Sequence, residues 1–199
     1  SALQGKYGTT TTINNVVIGD NAGKHVLSAN NIIIGNEAGQ ITSGTKISDD
    51  NVLIGYQAGK SMGVNTDDAG NGPSGNIFLG KLAGTSSKGN DNLYMGVNSG
   101  NQNIEGDSNI FLGKNSGSGI DGGSGGVLIG NNVGLSSVDI SGDILIGGNT
   151  GSGMRGTQNS IIGFNAGKIS GNNNTLLGYE VGENLEGDGN TILGYTSGK

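Results

Sequence analysis

The sequence predicts an all-β fold, a parallel β-solenoid (or β-roll) of about eleven short coils. Three observations predict it. A nine-residue block recurs eleven times, the copies keep a nearly constant spacing, and each carries a short apolar run bounded by Asn and Gly.

The blocks begin at Asn15, Asn31, Asn51, Asn76, Asn92, Asn109, Gly126, Asp143, Asn159, Asn174 and Asn190. All fit Asn/Gly/Asp-x-φ-φ-Gly-x-x-small-Gly, with φ apolar. Fixed-period self-similarity is the signature of a solenoid or array. From Gly19 to Gly194 the anchor glycines are 15 to 17 residues apart, except for two intervals of 20 and 25. A period near 16 is too short for paired helices, which need more than about 30 residues. The apolar run therefore reads as a strand. The two long intervals mark insertions within 40–50 and 60–75, and insertions in such folds leave the stack as loops.

Each coil is expected to have three parts. The first is the strand. The second lies between the two glycines, and its small residue, such as Ala22, Ser99 or Val133, points into a thin interior. The third carries one apolar residue before a turn, as at Ile104, Ile120, Met154, Ile169 and Leu185. Stacked at about 4.8 Å per coil, eleven coils make a rod roughly 50 Å long. Residues 1–13 read as an N-terminal lead-in, and 14–199 as the solenoid. The abrupt start at SALQGKYG and the stop within the eleventh repeat suggest a fragment of a longer fibre.

Composition excludes several classes. Gly is 43 of 199 residues, about three times the usual share of roughly 7%. The regular apolar blocks separate this chain from disordered low-complexity sequence. The net charge of −6 with no basic run argues against nucleic acid as a partner. No run of about twenty apolar residues exists to insert in a membrane. Cys is absent, which removes disulfide and thiolate chemistry.

Side chains alternate along a strand. The residue just before each anchor Gly is always aliphatic, from Ile18 to Leu193, and is taken as the core of the coil. The residue before that is also always apolar. This second column is Val17, Ile33, Leu53, Phe78, Tyr94, Phe111, Leu128, Leu145, Ile161, Leu176 and Ile192. It would face outward as a stripe approaching roughly 1000 Å², more than soluble monomers expose. It is therefore expected to be the interface between copies of the chain in a homo-oligomer.

The blocks NVLIGYQAG, NSIIGFNAG and NTLLGYEVG carry a likeness to known repeats. The chain resembles the head repeats of trimeric autotransporter adhesins (YadA-like), in which a strand N-S-x-A-I-G is followed by a small residue and further Gly. It is similar also to the N-T-x-x-G-Y-x-A-G repeats of phage tail fibres and related bacterial surface fibres. The likeness covers about residues 14–199. It implies a homotrimer of parallel left-handed β-rolls that displays a binding surface, extracellular, on a bacterial cell surface or a phage virion tail fibre. At the family's Ala position this chain has large apolar residues, up to Phe78, Tyr94 and Phe111.

No catalytic constellation is expected. His25 is the only His and reads as a surface residue, so neither a zinc site nor a Ser-His-Asp triad can be built. Left-handed β-helix acyltransferases use aliphatic-Gly-x-x-small-x hexapeptides, which Ile18–Gly23 fits, but they need three per coil and a His base. The acids at Asp49–Asp50, Asp91, Asp107, Asp121 and Asp188 read as solvated turn residues, and no cofactor or metal is expected; a bound ion in the 60–75 loop is the alternative. Thr recurs at no fixed position, which disfavours ice binding. Two ligand-binding candidates remain. Phe164, Tyr179 and Tyr195 follow the anchor glycines of the last three coils and could pack on sugars or on each other. Asn65, Asp67, Asp68 and Asn71 lie in the second insertion. The expected function is a structural, adhesive fibre segment attaching to a cell-surface or glycan ligand. A passive fibre spacer is the alternative, and a polysaccharide-processing β-helix enzyme is the third reading.

Overall fold

The computed structural model describes residues 14–26, 28–41, 45–65, 72–103, 105–120 and 122–198. Among them are strands and turns but no helix, so none is long and apolar enough to cross a membrane. In chain order the strands are β1 (Val16–Ile18), β2 (Ile32–Ile34), β3 (Thr45–Lys46), β4 (Val52–Ile54), β5 (Val64–Asn65), β6 (Ile77–Leu79), β7 (Leu93–Met95), β8 (Ile110–Leu112), β9 (Val127–Ile129), β10 (Ile144–Ile146), β11 (Ser160–Ile162), β12 (Lys168–Ser170), β13 (Thr175–Leu177), β14 (Glu183–Glu186) and β15 (Thr191–Leu193).

Eleven of them, β1, β2, β4, β6 to β11, β13 and β15, form one parallel sheet, one strand per coil. Their register is the one that the repeat alignment predicts. Val17 pairs with Ile33, Ile33 with Leu53, Leu53 with Phe78, and so on to Leu176 with Ile192. The fold is thus a parallel β-solenoid.

The two faces of the sheet are the reverse of the sequence expectation. The column Val17, Ile33, Leu53, Phe78, Tyr94, Phe111, Leu128, Leu145, Ile161, Leu176 and Ile192 points into the coil. Nine of the eleven are at most 1% exposed, and Val17 and Ile192, in the end coils, are partly buried. These side chains are the core of each coil, so they are not available to bury against another copy. The column before the anchor glycines faces outward, with Ile18 at 58% and Leu177 at 47% exposure. The reason is parity. Each sheet strand is three residues long, so its first and third residues share one face and its middle residue takes the other.

The same parity turns the Asn before each strand inward. Asn31, Asn51, Asn76, Asn92, Asn109, Asn159 and Asn174 are all buried. Each Oδ1 accepts the backbone N–H of the corresponding residue one coil on, as in Asn92 from Asn109 at 2.9 Å and Asn159 from Asn174 at 2.9 Å. Each Nδ2 donates to a carbonyl at a corner, as in Asn92 to Gly106 at 2.9 Å. Leaving a buried amide group unpaired is costly, and this ladder pairs both ends of each of these Asn side chains.

Two glycine columns are set by contacts between coils. At the anchor, Gly113 has φ +132, and a methyl there would overlap the carbonyl of Gly130 in the next coil. Four residues after the anchor Gly96, Gly100 has φ +59, and a methyl there would overlap the Tyr94 ring. The small column is buried as expected: Ala22, Ser99 and Val133 are fully covered. Ile120, Met154 and Ile169 are buried on the third side, Leu185 is half-buried, and Ile104 lies outside the described residues. In the middle coils the interior holds three stacked rings. Phe78 and Tyr94 have centroids 4.8 Å apart, and Tyr94 and Phe111 4.6 Å. The Tyr94 hydroxyl accepts from Asn103 Nδ2 at 2.7 Å.

The two insertions meet each other. β3 from the first pairs antiparallel with β5 from the second, Thr45 opposite Asn65 and Lys46 opposite Val64. The main sheet passes them with its register intact.

The ladder gives a first test. Asn92→Ala strands the Asn109 N–H and the Gly106 carbonyl, and is expected to cost about 2–5 kcal/mol in urea unfolding. Thr175→Ala, on the outer face, is expected to change stability by less than about 0.5 kcal/mol. Equal effects from the two would contradict the ladder's role.

Candidate functional site

The broadest unpartnered feature is the outer face of the main sheet. Its first column is Val16, Ile32, Val52, Ile77, Leu93, Ile110, Val127 and Ile144, followed by Ser160, Thr175 and Thr191. Its second column is aliphatic or Met in all eleven coils, from Ile18 through Met95 to Leu193. The side chains on this face range from half-buried to exposed, with Ile110 at 38% and Ile144 at 41%. Two columns along a rod roughly 50 Å long and about 15 Å wide make some 750 Å² of largely apolar surface. Soluble monomers rarely leave such a patch uncovered.

The aromatic candidates do come together. Phe164 and Tyr179 stack with centroids 5.9 Å apart and planes 10° apart, and Tyr179 and Tyr195 at 5.2 Å and 10°. The remaining face of Phe164 lies against Gly148, where a methyl would stand 2.9 Å from the ring. The rings therefore cover one another's faces and present their edges outward. The outer face of Tyr195 has no stacked ring among the described residues. Sugar stacking requires an open face, so this column is better built for rod stiffness than for a row of sugar platforms. The Glu180 carboxylate beside Tyr179 raises the pKa of its phenol. Farther down the same column, Lys81 Nζ sits 5.9 Å from the Tyr56 ring centroid.

The loop candidates are less well placed for description. The Asn65 backbone belongs to β5, while Asp67, Asp68 and Asn71 lie outside the described residues. His25 is exposed, at φ +70. Among the described residues no group of His, Cys, Asp or Glu is arranged to hold a metal. Three turn acids have a more definite role than solvation. Asp49, Asp107 and Asp188 each accept the backbone N–H of a preceding coil, at 2.7 Å from Ala29, Asn90 and Asn172.

One acid interrupts the buried ladder. Asp143 occupies an Asn position, after Gly126, which supplies no side chain. With no acceptor upstream, the Asp143 N–H donates to the Ile140 carbonyl at 3.0 Å. Its Oδ1 accepts from Asn159 N–H at 2.7 Å. Its Oδ2 is buried with no partner. At the Asn rungs the corresponding atom is Nδ2, a donor to a glycine carbonyl. A carboxylate cannot donate there, whereas a carboxylic acid can. Burial pushes the Asp143 pKa up to about 7; the hydrogen bonds from Asn159 oppose this and the charge of Asp139 adds to it.

Comparison with protein-family models, with curated proteins and with solved structures finds no match to this chain. The outer columns and the Asp143 rung were both missed in the sequence. A signal for the first was present: Ser160, Thr175 and Thr191 share parity with the column before the anchor glycines, so that face is the outer one.

Asp143 makes stability depend on pH with a definite sign. The folded pKa lies above the unfolded value near 3.8, so the folded chain holds the extra proton between the two. Its contribution is present below about pH 4 and is lost as pH rises through about 7. Asp143→Asn is expected to remove that dependence and to stabilise by about 1–3 kcal/mol near pH 8.5, with a smaller effect near pH 5. Urea unfolding at the two pH values measures it, and a destabilised variant near pH 8.5 would rule the account out.

Proposed function

We propose that this chain is a structural and adhesive fibre segment that assembles as a homotrimer and attaches to a cell-surface or glycan ligand. The supporting observation is the outer face of the main sheet. Strands apolar on both faces are expected where both faces are covered, and the coil covers only the inner one. Some 750 Å² per chain is close to the roughly 800 Å² that each partner gives to a standard interface. A second copy is the natural occupant, because an identical rod offers a stripe of the same length and coil spacing. The likeness to trimeric adhesin heads and tail fibres adds the chain number and the setting, a bacterial surface or a phage tail fibre. Itself and its ligand are then its partners, and the segment carries out no chemistry.

A passive spacer is the second reading, and one observation favours it. The rings of Phe164, Tyr179 and Tyr195 cover each other's faces, so the most prominent exposed aromatic group works without a ligand.

The assembly is tested by sedimentation velocity. The parent chain is expected to run as a trimer, and the double variant Ile110→Lys, Ile144→Lys as a folded monomer with an unchanged β signature in circular dichroism. Leu128→Lys, on the inner column, is expected to unfold its coil instead. A parent that stays a soluble folded monomer at about 10 μM ends the assembly reading. Attachment to cells or to a glycan array separates adhesin from spacer, and Tyr179→Ala shows whether the aromatic column takes part.

A further inference from the structure

A groove of about 360 Å³ crosses the third side of coils eight to ten. Arg155, Lys168, Ser170, Asn184 and Glu186 line it, over Ile169 and Leu185. Its volume lies within the roughly 300–1,000 Å³ of small-molecule sites. Elsewhere in the rod the third side of the coil is mostly turns. Here it straightens into β12 and β14, paired in parallel, and Arg155 bridges to Ser170 from the coil before.

The pairing carries a bulge. Lys168 lies opposite Glu183 but Ser170 opposite Glu186, so β14 contains one residue more than β12, and Asn184 within it has φ +65. Bulges re-aim side chains and are frequent beside binding sites. The strand ladder places Arg155, Ser170 and Glu186 in one outward row on successive coils, with Ile169 buried beside it. At about 4.8 Å per rung, Arg155 and Glu186 are roughly 10 Å apart along the row.

Charge sorts the occupants. Lys168 is engaged by Glu183, with Nζ 3.9 Å from Oε1. The Arg155 guanidinium has no hydrogen bond or ion pair among the described residues. It is thus an open planar fork, suited to a carboxylate. Glu186 opposes a polyanion such as nucleic acid, but it accepts hydroxyl donors. Ser170 and Asn184 both donate and accept. One open cation, Arg155, one acceptor and neutral hydrogen-bonding groups match a polyol ring that bears a single carboxylate.

We propose that this groove binds an acidic sugar residue, its carboxylate on Arg155 and its hydroxyls on Ser170, Asn184 and Glu186. This deepens the adhesive reading by giving it a ligand class, and it places recognition on the flank of the rod rather than on the aromatic column.

The test titrates the full 199-residue chain with oligosaccharides bearing glucuronate or sialate, each beside its carboxyl-reduced neutral form, by isothermal calorimetry. An acidic form is expected to bind at least about tenfold more tightly than its neutral form. Arg155→Gln is expected to erase that margin, Arg155→Lys to restore part of it, and Tyr179→Ala to leave it intact. Equal affinity for acidic and neutral forms, unchanged binding in Arg155→Gln, or no binding of either acidic series overturns the proposal. Cell attachment that survives Arg155→Gln would sink the groove and leave the adhesive reading standing. A parent chain that attaches to no cell, yet binds the acidic sugars through Arg155, would do the reverse.

Discussion

The buried amide ladder is the constraint on which the rest of this structure depends. A coil of about 16 residues encloses too little space to be held by apolar contacts alone. It must also satisfy backbone groups at its corners, away from water. The Asn before each strand does this from inside, accepting from the next coil and donating to a corner carbonyl. It also fixes the register. The 20- and 25-residue intervals add their extra residues between the third side and the next ladder Asn. The bonds from Asn51 N–H to Asn31 and from Asn76 N–H to Asn51 survive at 2.9 and 3.0 Å. Coil length therefore varies there without disturbing the register of the main sheet.

Stacking at strand spacing has opposite consequences inside and outside the coil. Inside, it brings Phe78, Tyr94 and Phe111 into face contact in the middle coils. It also demands glycine beneath each ring, because a methyl at Gly84, Gly100 or Gly117 would overlap it. Outside, the same spacing stacks Phe164 on Tyr179 and Tyr179 on Tyr195, and leaves the outer face of Tyr195 open. A row that reads as separate aromatic side chains in the sequence is thus a stack in the fold. The stacking is irregular at one described place on the third side, the bulge in β14.

The two departures from the ladder illustrate how tightly the interior is specified. Gly126 removes an acceptor, and the Asp143 N–H finds the Ile140 carbonyl three residues back along the chain. Asp143 then keeps the acceptor half of an Asn and loses the donor half, which leaves Oδ2 buried and unpaired. A carboxyl in place of the amide is thus the one rung among the described residues whose outer oxygen stays buried without a partner. The outer face is far more permissive. Its first column passes from Ile144 to Ser160, Thr175 and Thr191 without disturbing the register.

The sequence by itself determined the fold class, the number of coils, the register of the main sheet and the places where insertions leave it. These follow from periodicity, which is a property of spacing and survives without coordinates. The inward small column at Ala22, Ser99 and Val133 was equally legible, since only a small residue fits a thin interior. Which of two apolar columns faced inward was not. Both Ile33 and Ile34 are aliphatic, and hydrophobicity ranks them alike. Parity with the buried Asn and with Ser160 settles the face, and that requires knowing that the Asn lies inside. The outward edges of Phe164, Tyr179 and Tyr195, the meeting of the two insertions in β3 and β5, and the groove around Arg155 were decided only by the tertiary structure. Each depends on distances between residues of different coils, and a repeat pattern fixes the order of such residues but not the direction in which their side chains point.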